Sequence, residues 1–404
     1  MNAETQTVER ERWRRVAVRI VAWTLFVALS LAVAEVAARF LFVVPEVVNF
    51  SRIDYSEVAP AAGARASLAN AAFTYESAPD EARFVHHLNQ YGFRDRAWTV
   101  HKTHARRVLF VGDSFVEGFM ASDAETIPSV YERIARAAGV DLEAWNLGVG
   151  AAGWPEYLRL IPDAVVAFEP DEVVLVLYAN DMLALAPLSD ADVRAPLKPM
   201  RRDPLGSALL ATLVSVSEGR MPAFARPRPP FPFFAAVPNA SNPWSANGEE
   251  FSRAVEPSIA AAMRDGRFNP FVVNEPLTFA TYLPRAVEVG GYMEYVKRFL
   301  DRHGVAFRVV YLPYASQVSD YYGQFSRRYS SGEVPSLTSS EYQLHASIIA
   351  AEAARLKVPF LDLTPILLRM EDSGRHMYWN YDEHMRAAGY AVAAAAIWAP
   401  PTVR

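Results

Sequence analysis

Residues 107–128 read RVLFVGDSFVEGFMASDAETIP, and the prediction of the fold starts from this segment. An apolar run, VLFV, is followed at once by Gly112, Asp113 and Ser114. A short apolar run that ends in turn residues is typical of a strand buried between helices. Its final serine is either an ordinary turn residue or a nucleophile held at the carboxyl edge of a sheet. The second interpretation requires partners from elsewhere in the chain.

Four further segments repeat this short apolar pattern, over residues 142–149, 172–180, 306–314 and 358–365. Helical patterns separate the segments, over residues 127–139, 155–168, 292–304 and 339–357. Two of these helical patterns end in glycine and a third ends in lysine, and the last begins with serine followed by glutamate, which are the usual stop and start signals. The alternation of strand and helix predicts a parallel sheet with helices on both faces.

Composition narrows the class of protein. The chain has 404 residues, 51% of them hydrophobic, and a formal net charge of −5. A substantial core is therefore expected, and nucleic-acid binding is not. The chain has no cysteine, which excludes disulfides, thiol catalysis and thiolate metal sites. Without an H-E-x-x-H pattern or a dense carboxylate loop, we expect no metal and no cofactor. The sequence does not indicate an oligomeric state.

The N-terminus carries a localisation signal. An apolar stretch, residues 20–34, continues past Glu35 and Arg39. A helix from about Val16 to Val44 is long enough to span a bilayer if those two charges pair or snorkel. Arginines precede the apolar stretch at positions 10, 12, 14, 15 and 19. They predict an anchor with its N-terminus inside. The alternative is a signal peptide cleaved after AVA, residues 32–34. Both interpretations place the remainder outside the cytoplasm.

These signals divide the chain into four parts. We expect a basic cytoplasmic tail over residues 1–15, a membrane anchor over 16–45, a linker and strap over 46–105, and the main domain over 106–404. An insertion at about 186–288 interrupts that domain. Its closely spaced prolines at 225–243 forbid a helix or a central strand. We expect the insertion beside the carboxyl edge of the sheet, as a groove wall, a lipid contact or a plain surface loop.

A nucleophilic serine needs an imidazole to accept its proton and a carboxylate to orient that imidazole. The sequence DEH supplies Asp382 and His384, and residues two apart in an extended segment project to the same side. Asn180 ends the third predicted strand, where its amide can donate to an oxyanion. The turn NLGVGAAG, after the second strand, can add a backbone N–H. Such edge loops converge at the carboxyl ends of a parallel sheet.

This set of motifs resembles the SGNH (GDSL) hydrolase superfamily, from about Arg107 to Tyr390 with the insertion unmatched. GDSF implies Ser114 as nucleophile and as one oxyanion donor. YAND implies Asn180 as a second donor, and DEH followed by AAGY implies Asp382 as orienting acid and His384 as base. Two positions depart from the family pattern. Ala151 replaces the usual donor glycine, although its backbone N–H is retained, and Tyr178 replaces the glycine of the third block.

The resemblance implies a flavodoxin-like three-layer α/β/α sandwich with a central, mostly parallel five-stranded sheet, following the N-terminal transmembrane helix. The segment NQYGFRDR, residues 89–96, resembles one found in membrane-anchored bacterial members. The implied function is an extracytoplasmic serine esterase of the inner membrane that hydrolyses an acetyl or short-chain acyl ester.

Two other functions stay open from the sequence. One is O-acetyl transfer or deacetylation on a cell-envelope polysaccharide, which would make an acylated glycan the partner. The other is a non-catalytic glycan- or partner-binding domain. Tyr378 and Trp379 are either walls of a substrate pocket or core residues; no substrate-binding residue is assigned.

Overall fold

The computed structural model describes residues 3–43, 72–76, 83–89, 91–99, 102–150, 152–182, 209, 223–224, 231–232, 271–329, 333–380 and 383–399. The strands are β1 Phe42–Val43, β2 Ala72–Glu76, β3 Arg83–His87, β4 Arg106–Gly112, β5 Leu142–Gly148, β6 Glu172–Tyr178, β7 Ala223–Phe224, β8 Phe231–Pro232, β9 Ala306–Leu312 and β10 Phe360–Asp362. The helices are α1 Ala3–Leu41, α2 Ser114–Glu117, α3 Ile127–Ala137, α4 Trp154–Phe168, α5 Phe271–Tyr282, α6 Gly290–Arg302, α7 Ala315–Val318, α8 Asp320–Tyr329, α9 Leu344–Leu356, α10 Thr364–Asp372 and α11 Ala387–Trp398. Short 3-10 turns cover Asp123–Glu125, Ala179–Met182 and Ser340–Gln343.

The central sheet has five strands in the order β10-β9-β6-β4-β5, and every neighbouring pair is parallel. Numbered by their appearance in the chain, these strands run 2-1-3-4-5 across the sheet, which is the flavodoxin-like order. The predicted fold class is confirmed. In this order the chain reverses direction across the sheet between β4 and β6, so a crevice forms at their carboxyl ends.

Helices cover both faces of the sheet because alternate strand residues point to opposite sides. Leu109 and Val111 of β4 join the buried core under α4, α6 and α9. Val108 and Phe110 join the core on the other face, under α3, α5 and α11. All four side chains are fully buried, as expected for a strand enclosed between two helical layers.

The observed elements start and stop close to the predicted boundaries, and the differences have local causes. The third predicted strand ends at Tyr178 because the next four residues form a 3-10 turn. The fifth is shortened to Phe360–Asp362, since the Asp362 carboxylate accepts the Thr364 N–H at 2.8 Å and begins α10. The helix predicted from Ser339 begins as a 3-10 turn and becomes α-helical at Leu344.

The N-terminal helix α1 contains one apolar span, Trp13–Ala37, that is long enough to cross a membrane by length and composition. The helix begins and ends earlier than expected: Phe42 and Val43 are already extended and pair with Phe224 and Ala223 of β7. Glu35 accepts the backbone N–H of Leu209 at 3.0 Å. The side chain of Arg39 lies outside the described residues, so the expected pairing of these two charges stays a prediction.

A second, smaller sheet has the order β3-β2-β8 and contains the two strands that precede β4 in the chain, β2 and β3. Its edge strand β8 comes from the predicted insertion, and Phe231 pairs with Phe73 of β2. Helix α5, also from the insertion, packs the ring of Phe279 4.4 Å from the ring of Tyr314, just beyond the carboxyl end of β9. Apart from residues 209, 223–224, 231–232 and 271–288, the insertion lies outside the described residues, and this includes most of residues 225–243.

Candidate active site

Ser114 is the first residue of α2, directly beyond the carboxyl end of β4. The preceding residue caps this short helix, because Asp113 Oδ1 accepts the Phe115 N–H at 3.0 Å. Gly118 ends the helix with φ +88°, a left-handed conformation that favours glycine, and its N–H donates to the Ser114 carbonyl at 2.8 Å. The strand, the cap and the glycine together fix the direction of the Ser114 side chain.

The adjacent strand β5 leaves room for this helix only because it ends in glycine. A Cβ built on Gly148 would lie 2.0 Å from the backbone nitrogen of Glu117. The backbones of α2 and β5 are therefore in direct contact, and any side chain at position 148 would push the serine helix away from the sheet.

His384 meets Ser114 from the other end of the chain. Its Nε2 lies 2.7 Å from Ser114 Oγ, a hydrogen-bond distance at which the hydroxyl can donate to the imidazole. The segment that carries His384 folds back on itself: Trp379 N–H donates to the His384 carbonyl at 3.0 Å, and Arg386 N–H donates to the Met377 carbonyl at 2.8 Å.

Aromatic rings enclose the imidazole. Its ring lies 4.8 Å from that of Phe115 and 5.1 Å from that of Phe119. His384 is only 3% exposed, whereas Ser114 is partly exposed. The serine hydroxyl is thus reachable from solvent, while the nitrogen behind it is protected.

Asn180 lies in the 3-10 turn that follows β6, the strand next to β4. The buried carboxylate of Asp181 holds that turn: its Oδ2 accepts the Tyr178 N–H at 2.8 Å, and its Oδ1 accepts the Tyr157 hydroxyl at 2.9 Å. Asn180 itself is half-buried, so its amide can face the crevice. Both strands of the switch point therefore present a candidate side chain at the same edge.

Two of the predicted site residues, Asp382 and Ala151, lie outside the described residues. Their roles as orienting acid and as backbone donor stay predictions. The structure brings together Ser114 and His384, two side chains that are 270 positions apart in the sequence.

Two buried carboxyl groups lie close to this contact. Burial raises the pKa of Asp113 to about 6, against the opposing effects of the Phe115 N–H and His384. Burial also raises the pKa of Asp181 well above its usual range, and the nearby Asp113 adds to that shift. Both groups are held by hydrogen bonds from the turns that carry Ser114 and Asn180, and burial at this edge disfavours the ionised form of each carboxyl group.

Three aromatic residues near the site, Tyr178, Tyr378 and Trp379, differ in how deeply they are buried. Tyr178 is fully buried, with its ring 4.1 Å from that of Phe115, so it supports the serine helix. Tyr378 is also fully buried and donates to the Pro313 carbonyl at 2.8 Å, which makes it a core residue. Trp379 is half-buried and donates to the Met120 carbonyl at 3.0 Å, beside the serine segment.

Sequence reasoning missed three residues that surround the serine helix: His86, Arg94 and Glu117. The guanidinium of Arg94 is buried and donates to the carbonyls of Glu117, Gly118 and Ala121. The resemblance of residues 89–96 to a known segment pointed to the region of Arg94, but not to these contacts. His86 and Glu117 carried no sequence signal, since each is an ordinary residue whose partner is more than 30 positions away.

No cluster of three or more His, Asp or Glu side chains that could hold a metal ion occurs among the described residues. The expectations of no metal and no cofactor stay predictions.

Parts of this chain are similar to known proteins in sequence and in structure. The family model described as GDSL-like Lipase/Acylhydrolase matches residues 108–273. That range includes Ser114 and Asn180 but ends before His384. No match is found among the curated proteins.

Several solved structures resemble the chain at low identity. The crystal structure of an acetyl xylan esterase, AlAXEase, is 12% identical with a TM-score of 0.35, over 72% of this chain and 98% of that one. The lipase/acylhydrolase from Enterococcus faecalis is 13% identical with a TM-score of 0.36, over 72% and 93%. The psychrotrophic esterase EstA from Pseudoalteromonas sp. is 8% identical with a TM-score of 0.34, over 72% and 94%.

Proposed function

We propose that this chain is a serine esterase in which Ser114 attacks the ester carbonyl. The premise is the match of residues 108–273 to the GDSL-like Lipase/Acylhydrolase family. The observation that carries the proposal is the distance of 2.7 Å between Ser114 Oγ and His384 Nε2. A pure binding domain has no physical need for a serine hydroxyl held against a buried imidazole.

The first half of the reaction forms an acyl-enzyme. His384 Nε2 takes the hydroxyl proton as Ser114 Oγ bonds to the carbonyl carbon, and the carbonyl oxygen becomes an oxyanion. The Ser114 N–H, the Ala151 N–H and the Asn180 amide donate to that oxyanion. The bond from carbon to the alcohol oxygen then breaks, and the leaving alcohol takes the proton from His384.

The second half restores the enzyme. Water loses a proton to His384 as its oxygen bonds to the acyl carbon, and the bond to Ser114 Oγ breaks. Ser114 recovers its proton from His384, and the carboxylic acid leaves. Asp382 holds the imidazole in the required tautomer throughout. The rings of Phe115 and Phe119 keep bulk water from the imidazole, which strengthens these hydrogen bonds.

We place this chemistry outside the cytoplasm, on an inner-membrane anchor. The apolar span Trp13–Ala37 supports an anchor by its length. The arginines at positions 10, 12, 14, 15 and 19, before the span and in its first turns, favour a cytoplasmic N-terminus, and hence an extracytoplasmic esterase domain. Protease added outside intact inner membranes should then cleave the C-terminal part; complete protection of that part would overturn the orientation.

The substrate we propose is an acetyl or short-chain acyl ester. The rings of Phe115 and Tyr178 lie 4.1 Å apart beside the serine helix at a tilt of 37°, and the ring of Phe279 lies 6.0 Å from that of Tyr178. These aromatic groups leave little room for a long acyl chain on that side. Esters with chains of two to twelve carbons should show the highest kcat/KM at the short end; a maximum at ten or twelve carbons would overturn this assignment.

The direct test of the function is Ser114→Ala in the full-length chain. Turnover of an activated acetyl ester should fall by about 10³-fold or more, because the attacking oxygen is removed. Ser347→Ala is the matched control, since Ser347 is an exposed serine on α9. Undiminished turnover in Ser114→Ala would refute the proposal.

A further inference from the structure

The upstream strand β3 reaches the serine helix through a buried pair of side chains. His86 Nδ1 lies 3.3 Å from Glu117 Oε1, and both side chains are fully buried. The other carboxylate oxygen, Glu117 Oε2, accepts the Gly150 N–H at 2.7 Å. One carboxylate therefore joins β3, the serine helix and the loop after β5.

This carboxylate holds the loop at a position that matters for the reaction. Glu117 is the last residue of α2, the four-residue helix that begins at Ser114. Gly150 is followed directly by Ala151, the proposed oxyanion donor. Fixing the Gly150 N–H fixes the peptide immediately before that donor, and it does so from the same rigid turn that carries the nucleophile.

The packing around Gly150 leaves the loop little freedom. A Cβ built there would lie 3.0 Å from Phe119 Cζ. The Phe119 ring in turn lies 4.8 Å from the ring of His86 and 5.1 Å from that of His384. The Phe119 ring, just beyond the serine helix in the chain, therefore packs against the loop at Gly150 and against both histidines.

Charged groups face Glu117 from every side. Arg94 and His86 approach from the upstream residues, Asp113 precedes the helix, and His384 comes from the C-terminal segment. Burial raises the pKa of Glu117 to about 7, against the effects of the Gly150 N–H, Arg94 and His384. Burial also lowers the pKa of His86 well below its usual value, an effect that Arg94 reinforces, so this imidazole is neutral at neutral pH.

We propose that Glu117, supported by His86, is a positioning residue that holds the Gly150 N–H against the serine helix, and with it the loop after β5 that leads into the proposed oxyanion donor Ala151. This inference rests on the proposed function of Ser114. Glu117 touches neither the substrate nor the reacting atoms in this assignment. It acts through Gly150.

The test compares two substitutions of Glu117 that differ in one property. Glu117→Gln keeps an oxygen that can accept the Gly150 N–H, whereas Glu117→Leu keeps a similar size and removes the acceptor. Active sites are first counted by labelling with a fluorophosphonate, and kcat is expressed per labelled site. This measure separates a smaller folded fraction from slower turnover.

We expect kcat per labelled site to fall about 10- to 100-fold in Glu117→Leu and less than tenfold in Glu117→Gln, with KM within about twofold of the wild type. Glu132→Leu and Glu132→Gln are matched controls. Glu132 is also largely buried and accepts a backbone N–H, that of Ala144 at 2.9 Å, but away from the site. Their loss should appear in the folded fraction and leave kcat per site unchanged.

A second pair of variants covers the case in which Glu117→Leu does not fold. His86→Asn should lower kcat per site with KM unchanged, while His87→Asn should not, because His87 is exposed and contacts Asp123 at 2.9 Å instead. Wild-type kcat per site in both His86→Asn and the folded Glu117 variants would overturn the inference. Ser114→Ala, measured beside them, reports on the proposed function independently: its activity must be lost for that function to stand, whatever the Glu117 variants show.

Discussion

The two edges of the central sheet treat buried carboxylates in opposite ways. At the amino edge each one has a guanidinium partner: Arg107 Nε lies 2.7 Å from Glu143 Oε1, and Arg308 Nη2 lies 2.9 Å from Glu172 Oε1. The Arg107 guanidinium also lies over the ring of Trp145, 3.9 Å from its centroid. At this edge, an arginine therefore balances the charge of each of these two buried carboxylates.

At the carboxyl edge, backbone and hydroxyl groups hold the carboxylates. Asp113, Glu117 and Asp181 are buried and accept hydrogen bonds from N–H groups or from a tyrosine hydroxyl. Beside them, the buried guanidinium of Arg94 donates to three backbone carbonyls and to Asp123. Burial therefore raises the pKa of all three carboxyl groups.

From this difference we infer that the amino edge contributes mainly to stability and that the carboxyl edge holds the candidate active site. Paired charges at the amino edge hold the sheet together, whereas the carboxyl edge retains ionisable groups whose charge is only partly compensated. Shifted pKa values of this kind concentrate at functional sites. The same strands thus provide a stable base at one end and the candidate active site at the other, and substitutions at the two ends should have different effects.

The largest expected effect comes from comparing one histidine substitution at each edge of the sheet. His384→Ala should lower kcat for an acetyl ester by about 10³-fold or more, since it removes the base that accepts the Ser114 proton. His303→Ala, which changes an exposed histidine beyond α6 near the amino edge, should leave kcat unchanged. Steady-state kinetics on both variants test this. Equal kcat in the two variants would contradict the difference that we infer between the edges.

The second prediction addresses the amino edge. Arg107→Ala leaves the buried Glu143 without its partner and should lower the free energy of unfolding by about 3–5 kcal/mol, while folded protein keeps its kcat per labelled site. Arg136→Ala removes an exposed arginine that also contacts a glutamate, and should cost no more than about 1 kcal/mol. Urea titrations measure both. A loss of kcat per site in Arg107→Ala would contradict the assignment of this edge to stability.

A third prediction concerns the oxyanion. Asn180→Ala should lower kcat by about 10²–10³-fold with little change in KM, because the amide is needed only in the transition state. The Asp181 carboxylate continues to hold the turn, so the fold should be retained. Kinetics with the acetyl ester and a thermal unfolding curve check this pair of statements. A kcat within threefold of the wild type would remove Asn180 from the site.

The smallest effect concerns pH. The folded pKa of Glu117, about 7, exceeds its ordinary value of 4.5. The folded state then binds more protons than the unfolded state between these two values, so the contribution of Glu117 to stability is present below pH 4.5 and is lost as pH rises through about 7. The loss is at most about 1.4 kcal/mol per pH unit across that window. The pH dependence of unfolding should be flatter in Glu117→Gln than in the wild type; identical slopes would contradict the shifted pKa.

The sequence was sufficient to predict the sheet. Continuous apolar runs such as that before Ser114 require a strand covered on both faces, and the alternation with helices requires parallel neighbours. Strand ends were less accurate, because the 3-10 turn at Ala179–Met182 depends on the buried bonds of Asp181. A pattern of apolar residues cannot reveal such a bond.

The site was predictable only in part. Ser114 and His384 could be paired from motifs, since the chemistry of an activated serine demands an imidazole. The pair of His86 and Glu117 could not, because it depends on the packing of β3 against the serine helix. The exposure of His87 beside the buried His86 follows from strand alternation, but which of the two points inward depends on the register of that strand.

The most direct test of the account is to find the residue that reacts. Full-length chain is treated with a fluorophosphonate, digested and analysed by peptide mass spectrometry. We expect one modified residue, Ser114, with modification strongly reduced in His384→Ala. An adduct on a different serine, or ester hydrolysis that continues with Ser114 unmodified, would contradict it.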